Sequence, residues 1–145
     1  MNAANITTNR KALHDYFVED TIEAGIMLQG TEVKAIRAKG ASLEGSYALV
    51  EDGEAWLIGC NIDEYSHGNI HNHNPKRRRK LLLKKREISG FLAKAKIKGH
   101  TLVPLKMYFK DGRVKVELAV CKGKQLHDKR QSLKEKDAER DMRRV

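Results

Sequence analysis

The chain has 145 residues, the size of one ordinary domain with at most an appended tail. Lys and Arg number 29 against 19 Asp and Glu, so the formal net charge is +10, and the pI is about 9.7. An excess this large favours an anionic partner. The chain has no run of about 18 apolar residues, so the sequence predicts no membrane span. Its N-terminus is polar, so the sequence predicts no signal peptide either.

Apolar periodicity and turn signals predict a mainly β domain. β-branched and aromatic residues at roughly alternating positions are typical of strands, and Asp-Gly pairs favour hairpin turns because both positions tolerate positive φ. The predicted strands cover residues 16–28, 47–51, 55–61, 101–109 and 114–120. The predicted turns are Asp52-Gly53 and Asp111-Gly112. Pro104 predicts an edge position or a bulge in its strand.

Two helices interrupt these strands. Thr31 is placed to cap a short helix over 31–37, which Gly40 ends. Residues 87–98 carry apolar side chains at helical spacing and predict the main helix, with Gly99 as its stop. Five or six strands with a helix before the last hairpin favour a Greek-key barrel of the oligonucleotide-binding type with flanking helices.

Composition predicts the domain boundaries. Residues 1–8 are expected to be disordered, residues 9–122 hold the barrel, and residues 123–145 form a basic tail with few large apolar side chains. Such a tail buries too little surface to order itself, so we expect it to be disordered when free. Good helix formers over 132–144 predict that a partner folds it into a helix.

The segment 76–86 is the strongest candidate binding feature, because eight of its eleven residues are basic and three leucines at 81–83 lie in its middle. Its cations would meet phosphates while the leucines anchor the segment to the core. The alternative is a solvated charge run. A second basic cluster lies within residues 122–130. Aromatic residues make up only 6% of the chain, which favours folded RNA over a single strand stacked on aromatic rings.

Other chemistry is sparse. The two cysteines, Cys60 and Cys121, lie far apart and form no metal-binding pattern, so we expect reduced core residues in a cytoplasmic protein. The loop over 66–74 contains His67, His71 and His73. It holds no Cys, Asp or Glu to complete a metal site, so we expect a plain polar loop and no metal. Glu23 and Glu32 are a candidate acid and base pair, but no catalytic motif accompanies them, so we expect neither an enzyme nor a cofactor.

Four motifs occur in order along the chain. They are Gly30-Thr31-Glu32-Val33-Lys34-Ala35-Ile36-Arg37, preceded by Glu23-Ala24-Gly25 and Gln29; Pro75 with Arg79-Lys80-Leu81-Leu82-Leu83; Thr101-Leu102-Val103-Pro104-Leu105; and Lys122-Gly123-Lys124 followed by His127-Asp128-Lys129-Arg130. Together they resemble the signatures of the SmpB family, and they cover nearly the whole chain. The departures are mild: Ala35 replaces a usual serine, Lys84 follows the leucines, and Gln125 stands where a lysine is common. The tail ends 15 residues after Arg130, which is short for that family.

The resemblance implies an RNA-binding protein that is not an enzyme. In that family an oligonucleotide-binding barrel grips the tRNA-like domain of transfer-messenger RNA (SsrA RNA), and the basic tail folds as a helix in the decoding centre and empty mRNA channel. The implied function is ribosome rescue by trans-translation in the cytoplasm. The implied partners are transfer-messenger RNA, the ribosome with its small-subunit decoding centre and ribosomal RNA, and, indirectly through the RNA, alanyl-tRNA synthetase and elongation factor Tu, with no membrane involved.

The resemblance also implies two sets of contact residues. RNA contacts fall on Asn9, Arg10, His14, Tyr16, Glu23, Lys34, Arg37, Arg77, Arg79, Lys80, Leu82, Lys122 and Lys124. The decoding-centre set is His127, Asp128, Lys129 and Arg130. Glu23 would accept hydrogen bonds from base edges or ribose hydroxyls, or else form an intramolecular salt bridge. We expect charge reversal at Arg79 and Lys80 to weaken RNA binding without unfolding the barrel. The alternative function is a general oligonucleotide-binding or ribosomal protein without a dedicated RNA partner.

Overall fold

A computed structural model describes residues 4–67, 72–96 and 99–123. Within these residues the chain forms β1 (Ala4–Thr8), α1 (Arg10–Asp15), β2 (Tyr16–Ile26), α2 (Gly30–Lys39), β3 (Tyr47–Glu51), β4 (Glu54–Ile58), β5 (Arg79–Leu82), α3 (Lys85–Ala95), β6 (His100–Lys110) and β7 (Arg113–Gly123). The predicted disorder of the free tail, and its folding on a partner, concern residues that lie outside the described ones.

The strands close into a barrel. The hydrogen-bonded order is β6-β3-β4-β5-β2-β7, and β7 pairs back with β6 to complete the ring. Each of these pairings is antiparallel, and β1 lies outside the ring, paired with β6. Closure of this kind satisfies the backbone donors and acceptors that an open sheet leaves at its edges. The predicted mainly β barrel with flanking helices is confirmed.

Both Asp-Gly hairpins form as the sequence predicts. Asp52 and Asp111 have φ values of 53° and 52°, and Gly53 and Gly112 follow with 74° and 75°. Two successive positive φ values give the tight turn whose twist matches that of the flanking strands. In the β6–β7 ribbon the register shifts directly after Pro104, so the predicted bulge is confirmed.

The prediction of disorder over residues 1–8 is wrong for the described part of this segment. Strand β1 pairs with β6 from Ala4, opposite Phe109, to Thr8, opposite Lys106. A short polar segment carries no apolar alternation that would predict a strand. Its order comes from the backbone groups of β6, which accept it as an added strand.

Helix α2 differs from the prediction at its start. Gln29 rather than Thr31 occupies the N-cap, and the carboxylate of Glu32 accepts a hydrogen bond from Gln29 N at 2.7 Å. The Thr31 hydroxyl lies 2.9 Å from His73 Nδ1, and His73 Nε2 lies 2.8 Å from Ile62 O. Thr31 therefore ties the helix to the loop before β5 instead of capping it. Gly40 ends the helix as predicted.

The barrel interior is aliphatic. Fully buried side chains include Leu43, Leu57, Ile62, Leu81, Met107, Val116 and Leu118. Burial of each large apolar side chain contributes about 1.5–3 kcal/mol. Helix α3 adds Ile88 and Phe91 to this core, and it ends at Ala95 rather than at the predicted Gly99. No helix among the described residues is long and apolar enough to cross a membrane.

The two cysteines also belong to the buried interior. Both thiols are free, and burial raises the pKa of Cys60 and of Cys121 to about 11. A thiol with so high a pKa stays protonated at neutral pH and is a poor nucleophile or metal ligand. The prediction of reduced core cysteines is confirmed.

Candidate nucleic-acid interface

The basic segment leading into β5 alternates between the interior and the solvent, as successive side chains of an extended strand must. One group, here called the inward set, is partly or fully buried: Arg77, Arg79 and Leu81. The other, here called the outward set, is exposed or half-exposed: Lys76, Arg78, Lys80 and Leu82. The run of like charge is therefore divided, and only the outward set is placed to meet a phosphate backbone.

The two inward arginines bind one buried carboxylate. Arg77 Nη2 donates to Glu32 Oε1 at 2.5 Å, and Arg79 Nε donates to Glu32 Oε2 at 2.5 Å. Burial by itself raises the pKa of the Glu32 carboxyl, but hydrogen bonds from Arg77, Gln29 N and Arg79 outweigh it and hold that pKa below its usual value. Glu32 is therefore ionised at neutral pH and compensates the guanidinium charges beside it.

Arg79 is held on three sides, and its side chain is 0% exposed. Besides the bond to Glu32, its Nη1 donates to Cys60 O at 2.7 Å and its Nη2 to Pro75 O at 3.0 Å. This geometry contradicts the predicted RNA contact of Arg79, because its guanidinium cannot reach a phosphate from the folded barrel. The structure also changes the expectation for charge reversal at Arg79: this change would bury a second carboxylate against Glu32, so we now expect it to destabilise the fold.

Asn9 is likewise buried, which contradicts its predicted contact with RNA. Its Nδ2 donates to Pro104 O at 2.9 Å and to Leu43 O at 3.2 Å, while its Oδ1 accepts from Ala12 N at 3.2 Å. Asn9 therefore starts helix α1 and joins that helix to β6. It positions neighbouring residues rather than presenting its own amide to a partner.

Glu23 forms the intramolecular contacts that were its alternative. Tyr108 donates its phenol O–H to Glu23 Oε2 at 2.6 Å, and Lys110 Nζ lies 3.2 Å from the same oxygen. The hydrogen bond from Tyr108 is the main cause that lowers the pKa of Glu23. Because its side chain is still 39% exposed, the carboxylate remains on the outer surface of β2.

The structure brings Glu23 and Leu82 onto one outer face. Gly25, two residues after Glu23 on the same side of β2, pairs directly with Leu82 of β5. A Cβ at Gly25 would lie 3.2 Å from the Leu82 Cβ, so the glycine leaves room for the leucine to lie against β2. Leu82 is 48% exposed, which gives this face an apolar point beside the outward cations.

A second group of predicted contacts lies at the other end of β2. Tyr16 pairs opposite Gly123, at the end of β7. Arg10 and His14 are exposed on the preceding helix, and Lys122 Nζ lies 3.5 Å from Glu19 Oε1. The backbone from Tyr16 to Glu23 spans about 23 Å at roughly 3.3 Å per residue, so the predicted contacts form two groups along one strand.

Sequence reasoning missed a groove beside this second group. It has a volume of about 370 Å³, and its lining includes Lys11, Asp15, Tyr16, Tyr47 and Thr101. Tyr47 is among the exposed large side chains of the domain. The available signal was Tyr47 itself, an aromatic residue at the first position of a predicted strand.

The remaining predicted residues have separate places. On α2, Lys34 Nζ lies 5.8 Å from the ring centroid of Tyr65, and Arg37 Cζ lies 5.6 Å from that of Phe109, which are cation–π distances. Lys80 Nζ lies 3.1 Å from Glu54 Oε1. Lys124, His127, Asp128, Lys129 and Arg130 lie outside the described residues.

Neither metal binding nor the acid and base pair gains support in the described residues. They contain no group of three or more possible metal ligands, and His73 is occupied by Thr31 and Ile62 O. His71 lies outside the described ranges. Glu32 is bound by arginines, whereas Glu23 is bound by Tyr108 and Lys110, so the two carboxylates serve different contacts.

A closed antiparallel barrel with a row of outward cations defines a small β-barrel protein of the oligonucleotide-binding class. The family model "SmpB protein" matches residues 6–145. The chain belongs to the SmpB family.

Curated relatives of similar length support this assignment. The chain is 55% identical over 140 residues to the "SsrA-binding protein" of Acidothermus cellulolyticus, an alignment that covers 97% of this chain and 88% of the relative. It is 51% identical over 142 residues to the "SsrA-binding protein" of Geotalea uraniireducens, covering 98% and 94%. A solved structure described as "tmRNA-SmpB: a journey to the center of the bacterial ribosome" matches with a TM-score of 0.71 and 48% identity over 83% of this chain and 85% of that one.

Proposed function

We propose that this protein binds the tRNA-like domain of transfer-messenger RNA and delivers it to stalled ribosomes for trans-translation. The observation that carries the proposal is the outward set, a row of cations with an exposed leucine that a closed barrel holds in place. Family membership, the names of the relatives and the matching tmRNA-SmpB structure support the same partner. The protein acts by binding, without a catalytic step or cofactor, and works in the cytoplasm where ribosomes translate.

The proposed RNA surface follows the outer side of β2 and β5. At one end it uses the outward set with Leu82 and Glu23, and at the other it uses Arg10, His14, Tyr16 and Lys122. Cations there would bind phosphates, while Tyr16 is placed to stack on a base and Glu23 to accept from a ribose hydroxyl. Arg77 and Arg79 support this surface from inside. Lys34, Arg37 and Lys124 are proposed as flanking contacts.

The proposed division of labour separates the barrel, residues 9–122, from the tail, residues 123–145. In this proposal the tail serves the ribosome, where His127, Asp128, Lys129 and Arg130 meet ribosomal RNA in the decoding centre. Deletion of the residues after Gly123 should lower the affinity for transfer-messenger RNA by no more than the loss of the single flanking contact of Lys124, and it should abolish peptide tagging in a reconstituted translation system. Loss of both activities together would contradict the division.

A competition experiment tests the RNA partner. The full chain is bound to labelled tRNA-like domain and challenged with unlabelled tRNA-like domain or with a size-matched RNA at the same salt concentration. Phosphate contacts alone carry no sequence information, so a dedicated partner must compete better than the matched RNA. Equal competition would refute the proposal and favour the general oligonucleotide-binding alternative.

The salt dependence of binding tests the surface itself. The variant Lys76→Ala/Lys80→Ala removes two outward cations and should reduce the slope of log K against log salt by about 0.7–0.9 for each lost phosphate contact. The matched control, Lys39→Ala/Lys106→Ala, removes two exposed lysines outside the proposed surface and should leave the slope unchanged. Equal slopes for the two variants would place the RNA elsewhere on the barrel.

A further inference from the structure

The sequence around β5 does not by itself fix the register of this strand. Five consecutive cations, residues 76–80, are followed by three consecutive leucines, residues 81–83. Register is normally set by alternation of apolar and polar residues, and a shift of one residue moves every side chain to the opposite face. In this segment a one-residue shift replaces cation by cation and leucine by leucine at most positions.

The shifted strand would present a different surface. If each residue took the place of the residue before it, Lys80 would take the buried place of Arg79 and Leu82 that of Leu81. Leu83 would then take the exposed place of Leu82, and Leu81 the half-exposed place of Lys80. The only change of type on the inner face would be Lys84 in the half-buried place of Leu83. The backbone pairing of β5 is short, with two residue pairs to β2 and three to β4, so it offers little resistance by itself.

The acceptors around Arg79 distinguish the two registers. Glu32 Oε2, Cys60 O and Pro75 O each accept from a different nitrogen of its guanidinium, at 2.5, 2.7 and 3.0 Å. A planar guanidinium presents five donors in a fixed fork, whereas an ammonium is a compact point charge. Lys80 in the same place could not satisfy three acceptors held in that geometry, and the buried oxygens left unpaired would oppose the shift.

We infer that Glu32 is a positioning residue whose buried carboxylate selects the register of β5 by requiring a guanidinium at residue 79. The selected register decides which cations and which leucine of the basic segment face outward. The inference rests on the proposed function only in treating that outward face as the RNA surface. Arg77, which binds the other oxygen of the same carboxylate, does not distinguish these two registers, because Arg78 would take its place with another guanidinium.

A swap of two adjacent residues tests the inference. Arg79→Lys/Lys80→Arg keeps the composition and net charge of the chain and moves the guanidinium by one position. If the guanidinium selects the register, the swapped chain regains much of the thermal stability lost in Arg79→Lys alone, with β5 shifted by one residue. If the ion pair only adds stability to a register fixed by other contacts, the swapped chain is no more stable than Arg79→Lys.

Thiol labelling reads the register directly. Single cysteines are introduced by Leu81→Cys or Leu82→Cys in each background, and alkylation is followed by mass spectrometry of the separate peptides. The buried Cys121 provides an internal measure of global unfolding. In the parent, residue 82 should label at least about tenfold faster than residue 81, because a buried thiol reacts only when its surroundings open. In the swapped chain the order should reverse while Cys121 stays protected.

The outcomes separate this inference from the proposed function. Retention of the parental labelling order in a folded swapped chain overturns the inference, whatever the RNA result. Reversal of the order with unchanged RNA affinity upholds the inference and refutes the RNA role of the outward set. If the swapped chain does not fold, Lys80→Arg alone decides, because it offers a guanidinium to both registers and removes no contact of Arg79. Faster labelling of residue 81 relative to Cys121 then supports the inference, and an unchanged ratio overturns it.

Discussion

Truncation of Arg79 should destabilise the barrel far more than truncation of the adjacent Lys80. Arg79→Ala leaves the buried Glu32 with one cation fewer, and breaking a buried pair from one side costs about 3–5 kcal/mol. Two carbonyls also lose a donor, each worth about 1–3 kcal/mol if it stays dry, although such neighbouring losses overlap. We expect a total loss of about 4–6 kcal/mol, a large part of the roughly 5–15 kcal/mol that stabilises a typical domain.

Lys80→Ala is the matched control. The Lys80–Glu54 ion pair has side chains that are 36% and 46% exposed, and a surface pair of this kind is worth about 0–1 kcal/mol. Urea unfolding can be followed by the fluorescence of Trp56, the single tryptophan, whose ring centroid lies 4.4 Å from Arg78 Cζ. Circular dichroism gives a second probe of the same transition. If Arg79→Ala loses no more than Lys80→Ala, the reasoning about the buried carboxylate is refuted.

Three further predictions follow from titratable groups and glycines. The pKa of Glu32 in the folded protein lies below the ordinary value of 4.5, so the stability that its carboxylate contributes is complete above that pH and is lost as the pH falls through the folded pKa. Glu32→Gln should therefore flatten the decline of the urea midpoint between about pH 6 and pH 3. An unchanged decline would contradict this. Cys60 and Cys121 should resist alkylation at about pH 8 in the native protein and react fully in urea; rapid native labelling would show that they are accessible. Gly112 has a φ of 75°, so Gly112→Ala should destabilise the fold by about 1 kcal/mol. Gly90 lies in α3 with open space where a Cβ would be, so Gly90→Ala should stabilise the fold by about 0.5–1 kcal/mol. Equal shifts of the melting temperature in the two variants would refute the backbone argument.

Local signals predicted the parts of the fold that depend on local geometry. The two hairpins follow from Asp-Gly pairs whose φ values are set within the turn, and the bulge follows from the missing N–H of Pro104. Strand β1 could not be predicted in this way, because its polar residues become ordered only through the backbone of β6, about a hundred residues later in the chain.

The basic surface was overestimated for a related reason. The sequence does not show whether a charged residue pairs with a buried residue of opposite charge. Glu32 lies 47 residues before Arg79, so no local pattern connects the two. The alternation of β5 would have divided the run correctly had the strand been recognised, but five consecutive cations show no apolar period. The predicted RNA contact of Asn9 failed for the same reason. Its partners, Leu43 O and Pro104 O, are backbone groups distant in sequence, which a sequence motif does not reveal.

The pairing of β7 has a mechanical consequence for whatever follows it. The strand is hydrogen-bonded to β2 on one side as far as Gly123 and to β6 on the other as far as Lys122. The end of β7 is therefore held by its neighbouring strands and cannot rotate independently of the barrel. Its orientation is fixed relative to β2, the strand that carries Glu23 and Tyr16. If a bound RNA rotates the barrel within a larger complex, Gly123, from which the final residues continue, must rotate through the same angle.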